Sequence, residues 1–279
     1  MLNAAAGNRP ATFKRRFSTL DQQHLAAAKN DRADTDMNML ASVHVRLYLR
    51  SMCGRFTLKS PPAEVGALLG VPVRDNFPPR YNICPTQPVA VIHQNEMRKR
   101  QYSLMRWGFI PSWAKGEFLT KLAARPLINA RSETVFEKAS FQSAIKRRRC
   151  LIPADGFYEW RSRPAQPKQP YLITRRDGAL FAFAGIWETA RDPDGGEVDT
   201  LAILTTAAGL DVKMLHSREP VVIAPQSYKF WLEADERDVS TISALLSPAP
   251  SGFWTSHPVS TAVNSPRNDG PELIEPLAV

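Results

Sequence analysis

Hydrophobic and polar positions follow no sustained period over residues 1–51, where only residues 43–49 alternate in a strand-like way. From Cys53 onward short apolar runs alternate with turn signals, the texture of a strand-rich chain. Ser60-Pro61-Pro62, followed by Glu64 and closed by Gly70, predicts a short capped helix with proline in its first turn. Residues 88–93 and 101–107 predict two strands joined by the polar turn 94–100. Further strands are predicted over 149–153, 157–161, 171–175, 180–187, 200–206, 221–224 and 258–263. Asp177-Gly178 marks a hairpin between two of them. Residues 141–147, 225–233 and 240–246 read as short helices, and the proline-rich stretch 164–170 as a loop. Strands dominate and neighbours suit hairpins, which predicts an α+β fold with a largely antiparallel sheet in a single domain. That domain spans residues 53–276, with 1–51 as an extension.

Composition narrows this picture. A hydrophobic fraction of 43% is ordinary for a globular core, and no apolar run approaches the ~18–20 residues of a membrane span. The net charge is +9, of which residues 1–51 supply +4 through eight Lys/Arg against four Asp. The remaining domain is moderately basic, which suits a polyanionic partner and a generally basic surface equally. Three cysteines, Cys53, Cys84 and Cys150, cannot all pair, and no C-x-x-C or Cys/His ligand spacing occurs. A disulfide framework and a metal site are therefore not expected, and a reducing, cytoplasmic compartment fits best. The first 51 residues lack the apolar core of a secretory signal, and Asp21, Asp31, Asp34 and Asp36 argue against a transit peptide. They read as a disordered extension or a mis-assigned start, with Met37, Met39 and Met52 as alternative first residues.

Met52-Cys53-Gly54-Arg55-Phe56 looks like the beginning of a protein. With Met52 removed, Cys53 would carry an α-amine and a thiol on one residue. An α-amine titrates near ~7.7–8.0, so part of it is nucleophilic at neutrality. It can condense with an aldehyde to an imine, and the thiol can then close a thiazolidine ring intramolecularly.

Several other segments are rich in functional residue types. They are the run from Arg80-Tyr81-Asn82 to Cys84-Pro85-Thr86, Arg106-Trp107-Gly108 to Pro111-Ser112-Trp113, Ile128-Asn129-Ala130-Arg131-Ser132-Glu133-Thr134, and Leu215-His216-Ser217-Arg218-Glu219-Pro220. With Cys150-Leu151-Ile152-Pro153-Ala154-Asp155-Gly156-Phe157-Tyr158-Glu159-Trp160 and Val263-Asn264-Ser265-Pro266-Arg267-Asn268-Asp269-Gly270, they occur in an order that resembles the SOS-response-associated peptidase (SRAP) family of abasic-site-processing proteins.

The resemblance implies a barrel-like β-sheet core with short flanking helices. It implies a monomer that senses abasic sites in single-stranded DNA during the DNA damage response, needs no cofactor or metal, and is nucleoid-associated if bacterial. The lesion would be captured as a covalent thiazolidine through Cys53, shielding it from strand cleavage. Carried over by resemblance, Glu133 acts as general acid/base, His216 assists proton transfer to the sugar oxygen, and Asn82 orients the sugar. Arg55, Arg80 and Arg131 are suited to clamp phosphates, and Trp107 and Trp113 to stack on flanking bases. An electropositive cleft would favour the Cys53 thiolate.

Taken singly these residues have blander readings: Cys53 as a small buried hydrophobe, Glu133 as a salt-bridge partner, His216 as a structural histidine, Asn82 as a turn residue, and the tryptophans as core. The constellation reverses those readings for Cys53, Asn82, Glu133 and His216. Two alternatives stay open, a cysteine-type peptidase that removes the residues before Cys53 and a non-covalent single-stranded DNA-binding module. The family also carries hydrolase and lyase descriptions. Glu219 stands where the family pattern has a hydrophobic residue, typically methionine. It would either raise the pKa of His216 or point to solvent.

Overall fold

The computed structural model describes residues 53–73, 77–192 and 194–277. The chain divides into two units, Met1–Arg46 and Leu47–Val279, and every described residue belongs to the second. The alternation at 43–49 and the candidate start Met52 lie outside the described residues.

In chain order the elements begin with β1 (Phe56–Leu58), α1 (Pro62–Leu69), β2 (Arg80–Ile83), β3 (Pro88–Gln94), β4 (Arg100–Trp107), α2 (Gly116–Ala124), β5 (Asn129–Arg131) and α3 (Gln142–Arg147). Then come β6 (Arg149–Ala154), β7 (Gly156–Arg163), β8 (Gln166–Arg175), β9 (Phe181–Arg191), β10 (Glu197–Ala207), β11 (Arg218–Pro220), α4 (Tyr228–Glu233), α5 (Val239–Ala244) and β12 (Trp254–Pro258). The fold is α+β. One sheet runs β12-β8-β7-β1-β2, antiparallel throughout. The second runs β11-β10-β4-β3-β6-β9, and β9 pairs back onto β10, so five of its strands close a barrel. The parallel pairings are β10 with β4 and β10 with β5.

An aromatic layer joins the two sheets. Phe56 packs edge-on against Trp107 and Phe183, and Phe157 against Phe183 and Trp254. β1 is short but fully buried, because it is flanked by β7 and β2 in its sheet and lies over the barrel. α1 begins at Pro62 and ends where Gly70 adopts φ 68°, its N–H bonded to Gly66 O, as the proline and glycine positions predict.

Where sequence and structure differ, local turn chemistry decides. The stretch 164–170 is the turn and first half of β8 rather than a loop, with Ala165 at φ 54° making the turn. The last strand is Trp254–Pro258, paired with β8, not 258–263. The Ser260 hydroxyl accepts from Ala262 N and turns the chain into a 3₁₀ segment, Thr261–Asn264. Residues 221–223 are threaded between two strands rather than forming one: Val221 N donates to Leu204 O while Ala184 N donates to Val221 O. The pattern did not announce β1, β2, β5 or α2.

Candidate active site

The pairing of β1 with β7 delivers Cys53 to its partner. Phe56 lies opposite Phe157, and Tyr158 N donates to Arg55 O at 3.0 Å. Two residues further back, Cys53 N donates to Glu159 Oε1 at 2.7 Å. Both residues are buried, at 1% and 3% exposure. Burial raises the Glu159 carboxyl to about 8, opposed by the hydrogen bonds from Cys53 N and Trp160 N and by the Lys168 charge. It thus titrates near neutrality, where a carboxyl can both hold and give up a proton.

The same burial pushes the Cys53 thiol well above its usual range, and the Glu159 charge adds to that. The expected electropositive setting for a thiolate is not what surrounds Cys53; its sulfur is a neutral thiol. Cys53 also sits at φ 37°. A left-handed conformation for a residue with a side chain costs roughly 1–3 kcal/mol. A chain that began at Cys53 would have no preceding carbonyl there and would not carry that cost.

Behind this pair lies a polar lattice. Arg55 is 5% exposed and donates to Asn82 Oδ1 (2.9 Å), Val263 O (2.7 Å) and Asn264 O (3.2 Å). Asn82, on β2, uses its amide on Val263 O, Ser265 O and Asn268 O at 3.2, 3.0 and 2.7 Å. The Asp269 carboxylate accepts from Tyr81 N and Asn82 N and pairs with Arg80. Arg80 also reaches Gln87 Oε1 at 2.8 Å. The run Val263 to Asp269 is therefore lashed to β1 and β2 by Arg55, Asn82 and Arg80. Phosphate clamping by Arg55 is corrected: its guanidinium is buried and engaged with the protein. Asn82 is tied at both ends of its amide to protein partners.

The remaining candidates lie around β5, β10 and β11. Glu133 follows β5 and makes a bidentate ion pair with Arg218, whose hydrogen bond holds that carboxyl below its usual range. Arg218 also donates to Thr205 O at 2.6 Å. Arg131 is exposed at the end of β5. His216 Nδ1 lies 3.1 Å from Arg218 N and 3.2 Å from Arg218 O, and burial lowers its pKa, opposed by the Arg218 backbone hydrogen bond and helped by the Lys168 and Arg218 charges. His216 and Trp160 line one open cleft, which brings the histidine to the residue beside Glu159.

Glu219 departs from both expectations. It is 1% exposed and accepts from Gly209 N (2.9 Å) and Ala249 N (2.7 Å), so it neither points to solvent nor raises His216. The tryptophans separate. Trp107 is 0% exposed, with its indole N–H on Ile128 O, and offers no face to a base. Trp113 is 52% exposed and stacks on Phe118 with an interplanar angle of 4°.

Glu159 is the residue that motif reading passed over. A signal was present: a carboxylate within Phe157-Tyr158-Glu159-Trp160, a run too apolar for a one-faced strand, has to be buried and so requires a partner. Among the described residues no group of His, Cys, Asp or Glu side chains is arranged to hold a metal ion. No helix of the described residues is long and apolar enough to cross a membrane.

The SOS response associated peptidase (SRAP) family model matches residues 52–266, most of the chain. The chain belongs to the SRAP family. It is 37% identical over 227 residues to the abasic site processing protein YoqW of Bacillus subtilis, covering 80% of this chain and 99% of that one. It is 31% identical over 234 residues to the abasic site processing protein YedK of Escherichia coli, covering 81% of this chain and all of the other. The abasic site processing protein HMCES of Gallus gallus is 36% identical over 194 residues, 62% of this chain and 56% of its own. A solved Bacteroides thetaiotaomicron protein shares the fold, with a TM-score of 0.71 at 23% identity over 81% of this chain and all of its own.

Proposed function

We propose that this SRAP-family chain processes abasic sites in single-stranded DNA, capturing the lesion through Cys53 once that residue is the first of the chain. The observation that carries this reading is the buried contact between Cys53 N and the Glu159 carboxyl. A freed α-amine at that nitrogen would share a proton with a carboxyl whose burial favours its protonated form.

The ring-opened abasic sugar presents an aldehyde. The Cys53 amine adds to its carbon to give a carbinolamine, Glu159 hands a proton to the hydroxyl, which leaves as water, and the nitrogen proton of the resulting iminium returns to the Glu159 carboxylate to give the imine. The thiol sulfur then adds to the imine carbon, its proton passing to nitrogen, and the thiazolidine closes. A neutral, buried thiol suits this order, because the ring-forming step follows imine formation. His216, with Nδ1 occupied by Arg218 N, offers Nε2 for proton transfer to the sugar oxygen. Asn82 and Glu133 support the site, Asn82 by holding the 263–268 segment and Glu133 by orienting Arg218. A peptidase reading draws no support here, since the immediate partner of Cys53 is a carboxyl rather than an imidazole, and the thiol is held protonated.

The test is to start translation at Met52, confirm by intact mass that Cys53 is first, and add single-stranded DNA carrying one abasic site. A heat-stable adduct on a denaturing gel is expected, absent in Cys53→Ala. No adduct from the parent, or an equal yield from Cys53→Ala, sinks the proposal.

A further inference from the structure

The two groups set to do the chemistry recognise a carbonyl and a proton, and neither recognises a strand. Cys53 N faces the Glu159 carboxyl at 2.7 Å, and the residues are 1% and 3% exposed. The side chains suited to gripping DNA are engaged elsewhere or lie apart. Arg55 and Asn82 direct their donors to protein carbonyls, and the Trp107 indole N–H goes to Ile128 O. Trp113 and Arg131 are exposed, and among the described residues no hydrogen bond joins either to Cys53 or Glu159. Enclosure sets a second condition. A carbonyl carbon has to reach a nitrogen that solvent does not, so its carrier must be slender. The aldehyde of a ring-opened abasic sugar meets this condition because its neighbouring carbon is an unbranched methylene. Burial also keeps the Cys53 thiol protonated, which suits an electrophile that meets the amine first.

We infer that the site has a second class of substrate, small unbranched free aldehydes, captured at Cys53 with Glu159 as the acid. This rests on the reading of Cys53 as the first residue of the reactive chain. The amine nitrogen bonds to the carbonyl carbon, and one of its protons moves to the oxygen. Glu159 protonates the resulting hydroxyl, water leaves, and the remaining nitrogen proton returns to the carboxylate. The sulfur then bonds to the same carbon while its proton passes to nitrogen, closing the thiazolidine. One aldehyde is consumed and one water released, with no oxidant or reductant. The capped nitrogen can attack no further carbonyl, so a free aldehyde disarms the site toward DNA.

The experiment uses protein beginning at Cys53, which retains every described residue, and acetaldehyde as the probe. After incubation at neutral pH the protein is acidified, which hydrolyses lysine imines, then digested and weighed by mass spectrometry. The first peptide should gain the mass of acetaldehyde less one water. Glu159→Gln should be capped about 100-fold more slowly, and the parent should react faster than the free tetrapeptide of residues 53–56. Pivaldehyde, whose neighbouring carbon is fully branched, should leave the parent unmodified. The full chain, with an amide nitrogen at Cys53, should gain nothing there. No gain at Cys53, equal capping of Glu159→Gln, a rate no greater than the tetrapeptide's, or equal capping by pivaldehyde overturns the inference. Adduct formation with abasic single-stranded DNA is scored separately on untreated protein. A DNA adduct without acetaldehyde capping leaves the capture reading standing and removes this one. Glu159-dependent capping without a DNA adduct does the reverse.

Discussion

The nitrogen of Cys53 lies 2.7 Å from Oε1 of Glu159, and neither residue reaches solvent. A donor and an acid enclosed together exchange protons without competition from water, which is the condition a condensation that expels water requires. Replacing Glu159 with Gln keeps the shape and removes the proton. Adduct formation should slow by about 100-fold or more. The parent rate should fall as pH rises and Glu159, whose burial favours its protonated form, loses the proton it donates. The Glu159→Gln profile should lack that falling limb.

Stability should carry the same signature in the full chain. The Glu159 carboxyl is raised from 4.5 to about 8 in the folded state, so the unfolded chain ionises first as pH rises. Stability is then unaffected below about pH 4.5, declines between about 4.5 and 8, and levels off above. Urea midpoints at pH 5 and pH 9 should differ less in Glu159→Gln than in the parent.

Glu133 should behave differently. It is half exposed and ion-paired, and its carboxyl is held low by Arg218, so it is ionised at neutral pH. Glu133→Gln should cost less than about 1 kcal/mol and slow adduct formation by less than about tenfold. A loss as large as that of Glu159→Gln would transfer the acid role to Glu133.

Glu219→Met, which restores the family pattern, should destabilise this chain. The carboxylate satisfies two backbone amides, Gly209 N and Ala249 N, and methionine would leave both unpaired. A loss of roughly 2–4 kcal/mol in urea unfolding is expected, with the His216 titration by NMR unmoved.

The tryptophans provide a paired test. Trp107→Ala should cost roughly 3–5 kcal/mol of stability. Trp113→Ala should leave the urea midpoint nearly unchanged and weaken single-stranded DNA binding by about 1–3 kcal/mol.

Much of the fold was legible because its longer strands announce themselves as apolar runs: β3, β4, β6, β9 and β10 all fall where the pattern puts them. The short strands β1, β2 and β5 carry three or four residues each, too few for a period, and pairing rather than propensity makes them strands. Cys53 and His216 could be read from their motifs. The partner of Cys53 could not, because the match of Glu159 to residue 53 depends on the register between β1 and β7. Motif reading favoured Glu133 for want of that register. It could not distinguish Trp107 from Trp113 either, since the first ends a barrel strand and the second lies beyond it in a turn.

The lattice that joins Arg55 and Asn82 to residues 263–269 also orders events during synthesis. Those two buried side chains find their acceptors in a segment that leaves the ribosome some two hundred residues after Cys53. The Cys53 end of the domain is thus made early and completed late. A nascent or prematurely terminated chain would hold Cys53 without the frame that positions it.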